Sequence, residues 1–235
     1  MTKKNKPEKI EIGSIKKTAS EIIPFAVNLI SPETFSDPSA VVTKVSQGIA
    51  TYFLSKFLSE YREKLEKKEI KDENFETEKP TLALRDLFKA IEGGDIDDEK
   101  FKAMKSVFFS GISKHSKQKD EVQSYEFLQT AKKLSGMEIL ILRANFEIAS
   151  GKSALNVSVN AGIRSRNAWR NEINKQIGFE DMEGAVFKYE KNLESLGLIS
   201  PRVEMDRLQG DFEPTPNFRL TRTGYKFCEF MIRYE

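Results

Sequence analysis

Apolar residues spaced three and four apart recur along much of this chain, and that spacing restricts it mainly to helices packed on helices. Between Ser39 and about Lys68, Val42, Val45, Ile49, Phe53, Phe57 and Tyr61 form one stripe, and Leu54, Leu58 and Leu65 widen it. Lys44, Gln47, Ser55, Arg62 and Lys64 occupy the other face, so the stripe must be covered by a core. A shorter stripe of Leu84, Leu87, Phe88 and Ile91 follows Pro80 and closes on Gly93-Gly94. A third turns Phe101, Met104, Phe108 and Ile112 inward behind Asp95, Asp97 and Asp98. Those carboxylates suit a helix N-terminus, where free amides and the helix dipole favour negative charge.

From Ser113 to Asp120 the chain is polar and carries its only histidine, His115, which predicts an elbow or domain boundary. Beyond it, Val122, Tyr125, Leu128 and Ala131 predict a fourth helix. Ser135 and Glu138 then stand in capping-box register ahead of the apolar helix Ile139-Leu140-Ile141-Leu142 to Phe146. Residues 150–166 read as a loop or short extended piece, Ala168 to Ile177 as a helix, and Asp181 to Leu196 as another that ends at Gly197. Met182, Val186, Tyr189 and Leu193 face inward on that last helix. Leu198-Ile199-Ser200 and Phe218-Arg219-Leu220 predict two strands around Pro214-Thr215-Pro216, and a final helix buries Phe227, Phe230 and Met231. Helices, a two-stranded wing and a closing helix make winged-helix order. The expected architecture is mainly α: a basic flexible tail over 1–20, a helical domain over 21–117 and a winged-helix-like domain over 118–235.

Charge narrows the functional classes. The chain has 38 Lys and Arg against 36 Asp and Glu in 235 residues, so overall balance favours neither nucleic acid nor membrane. Local excess is found in two places. Residues 1–20 hold six lysines against two glutamates, and residues 150–177 hold Lys152, Arg164, Arg166, Arg170 and Lys175 against Glu172 alone, with the only tryptophan, Trp169, among them. Arginine and tryptophan anchor interfaces well, so Arg164, Arg166, Trp169, Arg170 and Lys175 are the candidate partner- or phosphate-binding residues. The helix before the wing has the opposite sign. Glu180, Asp181, Glu183, Glu190 and Glu194 outnumber Lys188 and Lys191, which disfavours reading of the major groove. The longest apolar run, Ile22 to Val27, is too short to span a bilayer and follows a polar stretch unlike a signal peptide. A lone cysteine, Cys228, forms no intrachain disulfide, which fits the cytoplasm.

Catalytic motifs are incomplete. Counted from Asp95 as a calcium loop, the sixth position is Lys100 and the twelfth Ser106, where a turn glycine and a bidentate glutamate are needed. Gly151-Lys152-Ser153 lacks the earlier glycine of a phosphate loop, because Phe146 stands there. One histidine cannot build a multi-histidine metal site, and Cys228 lies in an apolar helix without a histidine partner. No catalytic residue, metal ligand or cofactor is expected.

Three segments resemble the abortive infection alpha family of bacteria: Tyr125 to Leu142 around Leu134-Ser135-Gly136-Met137-Glu138, Asn192-Leu193-Glu194-Ser195-Leu196-Gly197-Leu198-Ile199, and Leu220-Thr221-Arg222-Thr223-Gly224-Tyr225-Lys226-Phe227-Cys228. The resemblance covers roughly residues 95–235, and the basic residues 150–166 depart from it. It implies a non-enzymatic role in defence against phage. The last two segments are also similar to winged-helix regulators, in which Leu-Gly-Leu-Ile ends a helix and opens the wing. Two functions follow as expectations. The first is anti-phage defence through a protein partner, with homo-oligomerisation left open. The alternative is a DNA-binding transcription regulator, or an accessory winged-helix subunit of a DNA-associated ATPase complex, touching DNA through non-specific phosphate contacts.

Overall fold

The computed structural model describes residues 38–70, 78–150, 173–175, 177–178, 185–200 and 219–235. Within them the chain is mainly helical: α1 (Pro38–Glu66), α2 (Glu78–Glu92), α3 (Asp98–Gly111), α4 (Gln118–Lys132), α5 (Gly136–Ala149), α6 (Ala185–Ser195) and α7 (Arg222–Ile232). None of the described helices is long and apolar enough to cross a membrane.

Helix α3 forms the centre. From Lys100 to Gly111 every residue but Lys102 is buried, and α1, α2, α4, α5 and α7 surround it. Aromatic rings fill its contact with α1. Phe53 meets Phe101 at 4.6 Å, while Phe57 stacks nearly parallel on Phe109 at 5.5 Å and stands edge-on to Phe88 of α2. On the other side Phe127 of α4 lies edge-to-face with both Phe227 and Phe230 of α7, at 5.4 and 5.3 Å. Such ring pairs add orientation to the burial of large apolar surfaces.

Helices α3 and α4 approach closely because small residues face each other. A methyl group at Gly111 would stand 2.5 Å from Ser124 Cβ, and the Ser124 hydroxyl donates to the Val107 carbonyl at 2.7 Å. This contact sets the rotation of α4. Ser124, Phe127, Leu128 and Ala131 face the core, whereas Val122, expected inward, is 43% exposed. Ile49 likewise departs from its expected stripe at 45% exposed, since the buried face of α1 is built by Phe53 and Phe57 further along the helix.

Two of the sequence-read caps are in place. Asp97 accepts from Lys100 N at 2.8 Å as the N-cap of α3, and its second oxygen accepts from Gly136 N at 3.1 Å, so one carboxylate serves the starts of α3 and α5. Ser135 and Glu138 form the capping box of α5. Glu138 also accepts from Asn192 Nδ2 at 2.7 Å and thereby joins α5 to α6. Residues 113–117 form a tight turn, held close to the end of α1 by an antiparallel bridge between Ile70 and Ser113.

The expected two-stranded wing is not supported among the described residues. Among the described residues there is no strand, only an antiparallel bridge between Ile199 and Leu220, and 201–218 lie outside the described residues. Arg219 beside the bridge takes a left-handed φ of 65°, and that backbone interrupts an extended ladder at this point.

The start of α7 lies directly on residue 198. A methyl group at Gly224 would fall 1.8 Å from the Leu198 carbonyl oxygen. Gly224→Ala is therefore expected to push α7 off the 198–199 segment and cost about 3 kcal/mol, the upper range for overpacking, measured as a lower urea midpoint with an unchanged slope.

Candidate functional site

The junction where α6 ends and α7 begins is built around one buried cation. Arg219 and Glu190 are each 2% exposed, although both are charged. Arg219 Nη1 lies 2.8 Å from Glu190 Oε1, and Nη2 reaches Glu194 Oε1 one helical turn further along. The remaining guanidinium donors point at backbone: Nε and Nη2 donate to the Ser200 carbonyl at 3.1 and 2.8 Å. Ser200 N returns a bond to the Arg219 carbonyl at 2.6 Å, and Thr221 N donates to the Leu198 carbonyl at 3.1 Å. A planar five-donor group is what this place requires, because it must meet two carboxylates and a carbonyl at once.

Thr221 then starts α7. Its hydroxyl accepts from Gly224 N at 2.9 Å and lies 2.7 Å from the Gly197 carbonyl. The α6 end, the Ile199–Leu220 bridge and the α7 start are thus locked into one frame. In the sequence Arg219 reads only as the middle of the second predicted strand. The signal for its true place is the pair Glu190 and Glu194, four apart and so on one face of a helix, which calls for a cation delivered from elsewhere.

Arg164, Arg166, Trp169 and Arg170 lie outside the described residues. Lys175 is exposed, and its neighbours Ile173 and Asn174 are buried. Glu180, Asp181 and Glu183 of the acidic tally lie outside the described residues, and the charge of the described part of the helix is partly paired. Within 185–195 both acids, Glu190 and Glu194, are engaged by Arg219, while Lys188 and Lys191 are exposed.

Other chemically capable groups are committed to the fold. Lys105, buried in α3, donates to Glu60 of α1 at 2.7 Å, and Lys100 pairs with Asp95 at 3.3 Å. Asp86 accepts from Gln129 at 2.6 Å. Cys228 is buried, with its sulfur 3.7 Å from the Leu142 carbonyl. Burial pushes its thiol well above the ordinary range, and the Arg143 cation opposes this only in part. Among the described residues no three His, Cys, Asp or Glu side chains cluster closely enough to hold a metal ion.

The chain matches no family model, no curated protein and no solved structure.

Two outcomes follow from this geometry. Arg219→Met keeps the apolar stem but strands Glu190 in the interior, and is expected to cost about 3–5 kcal/mol, the usual penalty for breaking a buried pair. Adding Glu190→Gln and Glu194→Gln should restore part of that loss in urea unfolding. The cysteine makes a pH prediction. Below the unfolded thiol's pKa of about 8.5 it is neutral in both states; above that, the unfolded chain loses a proton that the folded chain keeps. Stability therefore falls as pH rises past about 8.5, by up to about 1.4 kcal/mol per unit from this one group, and Cys228→Ala should remove that component of the slope.

Proposed function

We propose that this chain is a non-enzymatic bacterial anti-phage protein of the abortive-infection kind, acting in the cytoplasm by binding a protein partner through a C-terminal winged-helix-like module. The reading starts from the resemblance carried by Leu134 to Leu142, Asn192 to Ile199 and Leu220 to Cys228. The observation that carries it furthest is the α6–α7 frame. Leu198 to Ser200 and Arg219 to Thr221 run antiparallel and are bonded to each other, which is the footing a wing needs. A binding role also suits the placement of reactive side chains. Cys228 is enclosed, and Glu138, Glu190, Lys100 and Lys105 each serve a structural bond. On this reading Arg164, Arg166, Trp169, Arg170 and Lys175 form the contact surface.

A second reading has one specific observation in its favour. Within 185–195 Glu190 and Glu194 share the single Arg219 cation, and Lys188 and Lys191 are left outward, so these five side chains sum to +1. That weakens the charge argument against DNA and favours phosphate contact by a winged-helix regulator or an accessory subunit of a DNA-associated ATPase complex.

Expression in a phage-sensitive bacterium, with a panel of phages plated on it, tests the first reading. The wild-type chain should lower plating efficiency for at least one phage and co-purify with a partner. The variant Arg164→Ala/Arg166→Ala/Trp169→Ala/Arg170→Ala should lose both effects while keeping its thermal midpoint. Unchanged plating by the wild-type chain across the panel removes the defence role. Fluorescence anisotropy with duplex DNA tests the second: binding that weakens steeply with salt and is lost in the same variant moves the assignment to nucleic acid.

A further inference from the structure

A cleft of about 580 Å³ opens between the C-terminal half of α1, the 113–115 turn and residues 233–235. It lies within the usual size of small-molecule sites, roughly 300–1,000 Å³. Its walls are strongly charged, and the pairing of those charges is uneven. Counting side chains, Lys64, Lys67, Lys105, Lys114 and Arg233 face Glu60, Glu63, Glu69 and Glu235, with His115 and Tyr234 between them.

Each side-chain carboxylate of the lining stands in an ion pair, that of Glu235 through an arginine it shares with Glu99. Glu60 pairs with Lys105 at 2.6 Å, Glu63 with Lys67 at 2.5 Å and Glu69 with Lys64 at 3.2 Å. Glu235 pairs with Arg143, which stands outside the cleft lining. Among the described residues Lys114 and Arg233 have no carboxylate partner, and the lining side chains sum to one positive charge. Both are exposed at the rim, as is His115.

The rim is also fixed in place. Lys114 N donates to the Glu69 carbonyl at 2.9 Å, beside the Ile70–Ser113 bridge. Ser116 donates twice to the Ser113 carbonyl, from its amide at 2.9 Å and its hydroxyl at 2.6 Å. Arg233 follows α7 directly, and its guanidinium carbon lies 5.1 Å from the centre of the Phe230 ring. Tyr234 is held from behind by Lys64, 4.5 Å from its ring centre, and its amide donates to Ser106 Oγ at 3.0 Å.

We propose that this cleft binds a small molecule through a phosphoryl group, with Lys114 and Arg233 neutralising its charge and His115 supplying a further donor. A phosphate monoester carries close to two negative charges at neutral pH and offers several acceptor oxygens, which matches two cations arriving from separate elements. The paired carboxylates leave little repulsion against such an anion. The proposal is independent of the partner-binding reading.

Amide-resolved NMR of the full chain, titrated with sodium pyrophosphate and separately with adenosine monophosphate, tests it. Shifts should gather at Lys114–Ser116 and Arg233–Glu235. Lys114→Ala/Arg233→Ala, both at exposed positions, should weaken the binding about tenfold or more by removing two charge-assisted contacts. Lys133→Ala, an exposed cation elsewhere, should leave it unchanged. Tighter binding of the monophosphate than of pyrophosphate identifies a nucleotide as the class of ligand, and equal binding identifies the phosphoryl group alone. No shifts there at millimolar concentration of either probe, or shifts that persist in the double variant, overturn the proposal.

Discussion

The described residues are arranged around a helix that is enclosed over almost all of its length. Helix α3 is enclosed from Lys100 to Gly111 apart from Lys102, yet its sequence is not that of a wholly apolar helix, since two lysines and two serines lie within the enclosed stretch. A buried polar group without a partner costs about 1–3 kcal/mol, and more if charged. Each of these four residues therefore demands a particular neighbour. Lys100 takes Asp95, and Lys105 takes Glu60 from α1. Ser106 and Ser110 both donate to the Phe230 carbonyl near the end of α7, at 2.9 and 3.0 Å. That carbonyl belongs to the last helical turn, where acceptors lack partners within the helix. The polar residues of α3 thus specify where α1 and α7 must lie, and apolar packing alone would leave more freedom.

The same logic operates at the helix starts. Asp97 serves amides at two N-termini, and Glu138 closes its own capping box while holding Asn192 of α6. Each carboxylate is a local signal that also fixes a long-range contact. Local and global preferences agree at both points, and such agreement narrows the number of competing packings.

How far the sequence could be read depended on whether its signals were local. The described helices and the cap at Ser135 rest on spacing within a few residues, and they stand where the spacing placed them, while most of the helix expected over Ala168 to Ile177 lies outside the described residues. Rotation of a helix about its axis is not local. Val122 matched the period of α4, but close approach through Gly111 and Ser124 turned Phe127 inward in its place. The acidic tally before the expected wing could not tell surface from interior for a related reason: Glu190 is interior and Arg219 is its counter-ion from 29 positions along the chain, while Glu180, Asp181 and Glu183 lie outside the described residues. Of the candidate binding residues, Lys175 is exposed as a binding residue would be, and Arg164, Arg166, Trp169 and Arg170 lie outside the described residues.

Placing charge inside has a consequence for recognition. An ion pair buried at the α6–α7 junction contributes little net stability compared with apolar side chains of the same volume, because desolvation offsets most of the attraction. Its value lies in geometry. Arg219 can meet Glu190, Glu194 and the Ser200 carbonyl together only if the 219–221 segment lies antiparallel to 198–200. An apolar residue there would tolerate sliding of one segment along the other. The pair therefore sets the register of 219–221 against 198–200, and it does so by burying Glu190 and pairing Glu194 on the helix that displays Lys188 and Lys191. A single arginine thus fixes how 219–221 lies on 198–200 and engages both acids of α6.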